Sequence, residues 1–572
     1  MDTNLVSDCL AVKRKGEGAF PFFLAPDPLS RAAMGWKRTG RQNISPWLRL
    51  FVHLDAVRAL PRAYLMALWW WLRGKRLRAR SQLTLLLGAS PRAYELWMLG
   101  EEVLTCTDRI QPPLVALVDA GAGQGGVEDT LRSLSDEGVP ALLIGTSNIP
   151  GIADAAGHID WDAGPWVMPL VAGDRIAPGT ASAYRGAMVE TAARTEVRLF
   201  YADDDLLDAA GRRHAPHFKP DWNAELFRHF DYLSGACILQ AAREDLEVLG
   251  RAGDWMSRLT ARVKGEGRPV HLHQVLHHRR SRFQPRIPAV PELAEREWPS
   301  VTVIVPTRNR MDLLRTCLEG IAATDYPDME VIVVDNDSDD PQTLAFLAAL
   351  DPSRYRVLRH RGAFNYSAIN NRAAREAKGH LLCLLNNDIE MITPSWLKVM
   401  AIQAQREDVG AVGARLLYPD GRIQHAGVVL GVGIGEGAAH AHRFLRPEEE
   451  GYFRRHMVPQ FVSAVTAACL VVERERFFFA GGFDEKNFPV AFNDVDLCLR
   501  LNRRGWQSLY EPRAMLIHHE SVSRGRDRDS VGAVRFAKEL AALKKLWGTD
   551  KRADPFHHPQ LSRMSEHFVV RL

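Results

Sequence analysis

Short apolar runs that stop abruptly at polar residues pattern the C-terminal half of the chain. Residues 301–305 read VTVIV, 330–334 read EVIVV and 381–385 read LLCLL. Runs of this length suit buried strands better than helices. Between them, residues 312–323 and 368–377 carry helical spacing. Strand, helix and strand in that order predict parallel, right-handed βαβ units. The three runs end at Pro306-Thr307, Asp335-Asn336 and Asn386-Asn387-Asp388. In parallel neighbours these ends share one rim, where open α/β sheets bind their ligands.

The N-terminal half alternates in a similar way. Largely apolar runs lie at 83–87, 114–118, 141–144 and 197–201, separated by helix-like stretches. Pro285, Pro288, Pro291 and Pro299 mark a polar linker. Residues 1–45, with Pro21, Pro26 and Pro28, read as an irregular extension, and residues 45–80 as helical. Within 58–80, seven Arg or Lys and no acid surround Tyr64, Leu65, Met66, Leu68, Trp69, Trp70, Trp71 and Leu72. Such a segment suits peripheral contact with an anionic membrane surface. It equally suits a helix that packs its tryptophans on the next domain. Residues 533–547 read as an amphipathic helix packed on the preceding domain, with the last residues untethered. The expected division is therefore 1–80 extension, 81–288 first α/β domain, 289–300 linker, 301–530 second α/β domain, and 531–572 helix and tail.

Composition removes several classes. The 572-residue length suggests two large domains plus extensions, or three to four smaller ones. Hydrophobic content of 46% and charged content of 25% are those of a globular protein, and a net charge of +4 gives no case for nucleic acid. Seven scattered cysteines without CxxC favour a reducing compartment over a disulfide scaffold or zinc ribbon. No transmembrane run and no signal-peptide layout is expected, which predicts a cytoplasmic protein, peripheral at the inner face of the plasma membrane if the basic helix docks there.

Neither a dinucleotide fingerprint nor a P-loop follows the first strand. Asp335 can accept from a base imide N–H or a ribose hydroxyl; it can also be a turn former in DNDSDD. Asp388 can hold Mg²⁺ or Mn²⁺ bridging two phosphates, since such ions keep waters and need only one or two carboxylates. Asp494 and Asp496 open a helix, where they can act as caps; Asp494 can also serve as a general base for an acceptor hydroxyl. His518 ends an apolar run and can ligate the metal or donate to a phosphate. His425, His440 and His442 flank a glycine-rich stretch, but their spacing matches no zinc motif, and a mobile acceptor loop fits better.

Residues 301 to about 525 resemble bacterial glycosyltransferases of family 2. The resemblance is carried by VIVPTRNR, VVDNDSDD, LLNNDIEMITPSWL, GAVGARLLYPDGRIQHAGVVLG, SAVTAACLVV, GGFDE, FNDVDLCLRL and HHESVSRG. It is strongest to enzymes of O-antigen and other surface-polysaccharide assembly, including rhamnosyltransferase-like members. It implies a GT-A fold, a nucleotide-sugar donor, a glycan or polyprenyl-diphosphate-linked acceptor, and inversion at the anomeric carbon. It places Asp335 at the base, Asp388 in the metal position of a DxD-type motif, and Asp494 as catalytic base. Pro306, Thr307, Asn336, Asn386 and Asn387 line the same donor site. The chain departs from the usual motifs in reading Asn386-Asn387-Asp388, with one carboxylate, and Asn493-Asp494 in place of Glu-Asp.

The N-terminal half resembles a degraded copy. Asp119 in LVALVDAG parallels Asp335, Asp174 parallels Asp388, Asp254 parallels Asp494 and His277 parallels His518. LGASPRA takes the place of the opening VPTRN. Asp203, Asp204 and Asp205 have the composition of a DxD but the wrong position in the repeat. The expectation is an α/β protein with two GT-A-like, Rossmann-like nucleotide-diphospho-sugar transferase domains in tandem, the second one active. A two-site transferase and a non-catalytic glycan-binding scaffold are the alternatives.

Overall fold

The structure is a computed structural model describing residues 37–39, 46–101, 103–105, 113–121, 125–194, 196–265, 267–293, 297–433, 435–519 and 530–572. Most of the N-terminal extension, and residues 520–525 of the HHESVSRG motif, lie outside the described residues. The chain divides into two compact units. One comprises residues 1–25, 290–428 and 462–546, the other 26–289, 429–461 and 547–572.

The unit that holds residues 301–428 is built on a mixed sheet. Its main path runs Tyr355–Arg359, Met329–Asp335, Val301–Thr307, Leu381–Leu385, Cys469–Glu473, Val409–Leu417, Gln507–His518 and Ile389–Met391. The first four strands are parallel. Every residue of Val301–Thr307 and of Leu381–Leu385 is buried. Strands sealed on both faces are largely apolar, so they read as near-continuous runs without alternation. Helices Met311–Ala322, Pro341–Ala348 and Tyr366–Glu376 make the crossovers.

The second unit has its own sheet, ordered Ala141–Ile144, Leu114–Asp119, Trp166–Val171, Cys237–Leu239, Leu199–Leu207, Val270–Arg279 and Arg175–Ile176. Two α/β units, each built on its own mixed sheet, agree with the expected α/β class. Preceding the sheet are helices Pro46–Ala59, Pro61–Leu72, Arg76–Gly88 and Ala93–Met98.

Several expectations need correction. The run 83–87 belongs to helix Arg76–Gly88 and is no strand. Its leucines are good helix formers and only Thr84 is β-branched. LGASPRA therefore does not stand where VPTRN stands, and the helical extension continues past residue 80. Nor is the tail loose. Leu561 and Val570 bridge, and the N–H of Arg571 donates to Gln560 O at 2.9 Å. Leu561 and Phe568 are buried in one cluster with Tyr94, Phe218 and Val275. Helix Ser530–Trp547 does pack on the unit expected.

The sheet also shifts two pairings of the copy. Leu114–Asp119 lies between Ala141–Ile144 and Trp166–Val171, as Val301–Thr307 lies between Met329–Asp335 and Leu381–Leu385. Asp119 pairs in register with Ile144, as Thr307 pairs with Asp335. The counterpart of Asp335 is thus Ile144, and Asp119 stands where Thr307 does. Similarly, Arg175 faces His278, as Ile389 faces His518, so His278 rather than His277 is the counterpart of His518.

Candidate functional site

The strand ends converge as their parallel register requires. Thr307 ties them together. Its carbonyl accepts from Asn336 N–H at 2.8 Å, and its hydroxyl accepts from Asn387 Nδ2 at 3.0 Å. Pro306 is buried beside it, in register with Val334. Asn336 donates through Nδ2 to the carbonyls of His360 and Gly362, at 3.2 and 3.3 Å. Asp335 is 3% exposed; Oδ1 accepts from Ser338 N–H at 3.0 Å, and Oδ2 lies 3.9 Å from Arg359 Nε. The turn-forming role of Asp335 is therefore realised, and its second oxygen faces the Arg359 guanidinium.

Asp388 is brought against His518. The strand Ile389–Met391 pairs antiparallel with the end of Gln507–His518, and His519 N–H donates to Asp388 O at 3.0 Å. Nε2 of His518 stands 3.1 Å from Asp388 Oδ1 and 3.4 Å from Asn386 Nδ2. Nδ1 of His518 lies 2.7 Å from Gln424 Oε1. The Gln424 acceptor takes the ring proton on Nδ1 and leaves Nε2 facing the Asp388 carboxylate. One carboxylate plus one imidazole is a donor set that suits a divalent ion.

Asp494 reaches the same rim through the strand beside Leu381–Leu385. Asn386 N–H donates to Ala468 O at 3.0 Å, and the adjacent Ala467 N–H donates to Asp494 Oδ2 at 3.0 Å. Asp494 Oδ1 accepts from Val495 N–H at 2.8 Å. The residue lies in the first turn of helix Asn493–Arg503. Desolvation pushes its carboxyl above the ordinary aspartate value, against the opposing pull of the Ala467 and Val495 amides and the Thr466 hydroxyl. Asp496 instead forms an ion pair with Arg500 at 2.8 Å and is 3% exposed.

Four residues that the sequence reading did not single out shape this site. Asn309, with φ of 54°, receives the N–H groups of Asp339 and Asp340 on Oδ1 at 3.1 and 3.0 Å, so it joins the loops after two strands. Gln424 orients His518, and Ala467 holds Asp494. Glu539 is 2% exposed and accepts from Val490 and Ala491 N–H at 2.9 and 3.2 Å, bracing the loop before Asn493. Asn309 and Gln424 sit inside motifs, VPTRN and GRIQH; Ala467 acts through its backbone, which leaves no side-chain signal.

Residues 302–451 match the model of glycosyl transferase family 2. Over these residues the chain is similar to members of that family. The family match includes the strand ends at Thr307, Asp335 and Asp388, and stops before Asp494 and His518. Curated relatives include the uncharacterized protein y4gI of Sinorhizobium fredii, 38% identical over 66% of this chain and 46% of that protein. The O-antigen biosynthesis protein RfbC of Myxococcus xanthus is 36% identical over 65% of this chain and 32% of its own length. An N-acetylglucosaminyl-diphospho-decaprenol L-rhamnosyltransferase of Mycobacterium tuberculosis is 46% identical over 12% of this chain and 21% of that protein. The chain thus spans less than half the length of each of these relatives. Among solved structures, a Pyrobaculum calidifontis mannosyltransferase is 21% identical over 46% of this chain and 68% of its own, with a TM-score of 0.34, a likeness too loose to bear on the site.

In the other unit the corresponding acids meet different partners. Asp174 accepts from Arg280 N–H at 2.8 Å and lies 3.9 Å from Arg279 Nε. Burial pushes it up to about 6. Asp254 is exposed, 2.7 Å from Arg258. Asp119 accepts from Gly121 N–H and the Trp255 indole, at 2.9 and 3.2 Å. His277 lies 2.8 Å from the Tyr184 hydroxyl, and His278 2.7 Å from Asp205. Asp203, Asp204 and Asp205 are buried within strand Leu199–Leu207, where Lys219 meets Asp204 at 2.8 Å and Arg213 meets Asp205 at 2.5 Å. The five cysteines within the described residues are free and buried. No helix among the described residues is long and apolar enough to cross a membrane.

Proposed function

We propose that the chain transfers a sugar, with inversion, from a nucleotide-sugar donor to a glycan or polyprenyl-diphosphate-linked acceptor in bacterial surface-polysaccharide (O-antigen-like) synthesis. The observation that carries this reading is the gathering of Asp335, Asp388 and Asp494 on one rim by Thr307, Asn386 and Ala467. Asp335 and Asn336 take the nucleoside, with Pro306 and Thr307 forming the floor beneath it. Asn386 and Asn387 line the donor site, and Asp388 and His518 would hold Mg²⁺ or Mn²⁺, which would supply positive charge beside the departing diphosphate. Asp494 accepts the acceptor hydroxyl proton as its oxygen bonds to the anomeric carbon. The bond from that carbon to the diphosphate oxygen breaks, and the electron pair leaves with the nucleotide. Positive charge on the sugar ring grows in this step, as it does in glycoside hydrolysis. A base whose pKa is raised by burial removes the proton more readily than an exposed aspartate.

The second unit is read as catalytically silent. Support comes from Ile144 at the position of Asp335, from Arg279 and Arg280 around Asp174, and from the exposure of Asp254. Membrane contact is assigned to helices Pro61–Leu72 and Arg76–Gly88, where Leu65, Trp69, Trp71, Leu72 and Leu77 are exposed among arginines. The test is nucleoside-diphosphate release from a donor panel with Mn²⁺ or Mg²⁺ and acceptor lipid, comparing the native chain with Asp494→Asn and Asp254→Asn. Release lost only with Asp494→Asn supports this reading. Loss of a distinct activity with Asp254→Asn indicates two transferases, and silence with tight glycan binding indicates a scaffold.

A further inference from the structure

Two phenylalanines meet beside Asp494. Phe492 immediately precedes helix Asn493–Arg503, and Phe536 lies on helix Ser530–Trp547. Their ring centroids stand 5.3 Å apart, with an interplanar angle of 42°. Phe492 is two positions from Asp494, so the two Cα atoms lie at most about 7.6 Å apart.

The helix that brings Phe536 is open at that residue. Gly532, Phe536, Glu539 and Leu543 recur at i, i+4, i+7 and i+11, which places them on one face. Gly532 is buried, Glu539 is 2% exposed and Leu543 is fully buried. Phe536, between them on that face, is 41% exposed. The docking face of the helix therefore leaves a gap next to Phe492, which is itself only half-buried.

The opposite wall of the gap is rigidly held. The Ser367 hydroxyl donates to Phe488 O at 2.5 Å, and Ser367 N–H donates to Pro489 O at 3.2 Å. Glu539 takes the next two amides, and Asn493 Nδ2 donates to Val490 O at 3.0 Å. Phe492 then adopts a φ of 61°, in the left-handed region where a bulky side chain is an outlier. Strain of this kind persists where the surroundings over-determine it, and it concentrates at ligand clamps.

The position next to Asp494 says what fills the gap. An acceptor hydroxyl has to come within about 3 Å of the base, so the ring that carries it lies beside the two phenyl groups. A pyranose turns its hydroxyls outward and presents C–H bonds on its faces. Those hydrogens carry partial positive charge and suit the negative face of an aromatic ring. Neither phenyl group offers a hydrogen bond, so the pair recognises a ring face. A polyprenyl chain has no hydroxyl to give the base and belongs farther from it.

On the reading of Asp494 as the base, we infer that Phe492 and Phe536 form the platform that receives the reacting sugar ring of the acceptor. Helix Ser530–Trp547 is thus part of the acceptor site. The acceptor class is a pyranose with an apolar C–H face, its reacting hydroxyl toward Asp494 and any diphosphate and lipid beyond the platform.

The test uses the full chain and one probe, a short polyprenyl diphosphate bearing a single N-acetylhexosamine. Saturation-transfer NMR, irradiating aromatic protons, is expected to label the sugar ring more strongly than the polyprenyl chain, and to weaken in Phe536→Leu. In initial rates, Phe536→Leu raises the acceptor KM about 3- to 10-fold, with smaller changes in kcat and donor KM. Phe536→Tyr keeps the ring and restores the native value. Phe492→Gly accepts the left-handed backbone, removes the second ring and raises the acceptor KM in the same way. Val534→Ala, at a position 70% exposed on another face of the helix, leaves it unchanged. An unchanged acceptor KM in Phe536→Leu overturns the platform, as does an equal rise in Val534→Ala. Absence of saturation on the sugar overturns it whatever the turnover. Saturation on the sugar without nucleoside-diphosphate release from any donor keeps the platform and defeats the transfer reading.

Discussion

Nε2 of His518 stands 3.1 Å from Oδ1 of Asp388, although 130 positions separate them in the sequence. The antiparallel pairing of Ile389 with His518 makes this contact, and Gln424 fixes the ring's tautomer. His518→Gln keeps a polar group but removes the imidazole nitrogen. The concentration of Mn²⁺ needed for half-maximal rate is expected to rise about 10- to 100-fold, with a smaller change in Gln424→Ala. A metal titration of initial rates measures this, and an unchanged requirement in both variants removes His518 from the metal site.

Asp494 is the group expected to move the proton. Asp494→Asn should lower kcat by roughly 10²- to 10⁴-fold while KM for the donor shifts only a few-fold. Because burial raises the Asp494 carboxyl, the native rate should fall on acidification above the pH range of an exposed aspartate. Rates across pH in a chain with intact donor binding report the position of this limb. A limb at the ordinary aspartate value assigns the proton to another group.

Glu539 acts through the loop before Asn493. Glu539→Ala strands two amides at Val490 and Ala491, a loss of about 1–3 kcal/mol for each if they stay buried. Expected outcomes are a lower unfolding midpoint and a lower kcat, with donor KM little changed. Glu539→Gln keeps one acceptor and should recover part of the rate. Loss of stability without any loss of kcat shows that the loop is braced for folding alone.

Asp174 gives a stability prediction with a definite sign. Its folded-state value of about 6 lies above that of an unfolded aspartate. A raised acid stabilises the fold while protonated, and that contribution disappears as pH rises through about 6. Asp174→Asn should therefore match the native chain near pH 4 and exceed it by roughly 2–3 kcal/mol near pH 8. Urea unfolding at the two pH values measures the difference. A variant less stable at the higher pH shows that Arg279 pairs with the ionised carboxylate.

The exposed aromatic helix predicts lipid binding. Trp69→Ala with Trp71→Ala should reduce sedimentation with anionic vesicles, and added salt should weaken binding of the native chain. Neutral vesicles serve as the comparison. Equal sedimentation of native and variant chains removes these tryptophans from any membrane contact.

Sequence alone determined the parallel core and the rim. Runs such as LLCLL are apolar throughout because both faces are covered, and polar residues can follow only where the strand leaves the core. That logic located Thr307, Asp335, Asn387 and Asp388, since each follows or ends its own strand. The resemblance supplied Asp494, whose helix begins more than 100 residues after Asp388. Tertiary structure alone decided which groups touch. Register made Ile144, not Asp119, the counterpart of Asp335, because neighbours in a sheet are set by strand order rather than by similarity of short motifs. It turned 83–87 into helix, since a short leucine run carries no period that separates the two states. It also brought Phe536 beside Phe492 across more than 40 residues, a convergence without local spacing, visible only once the chain has closed.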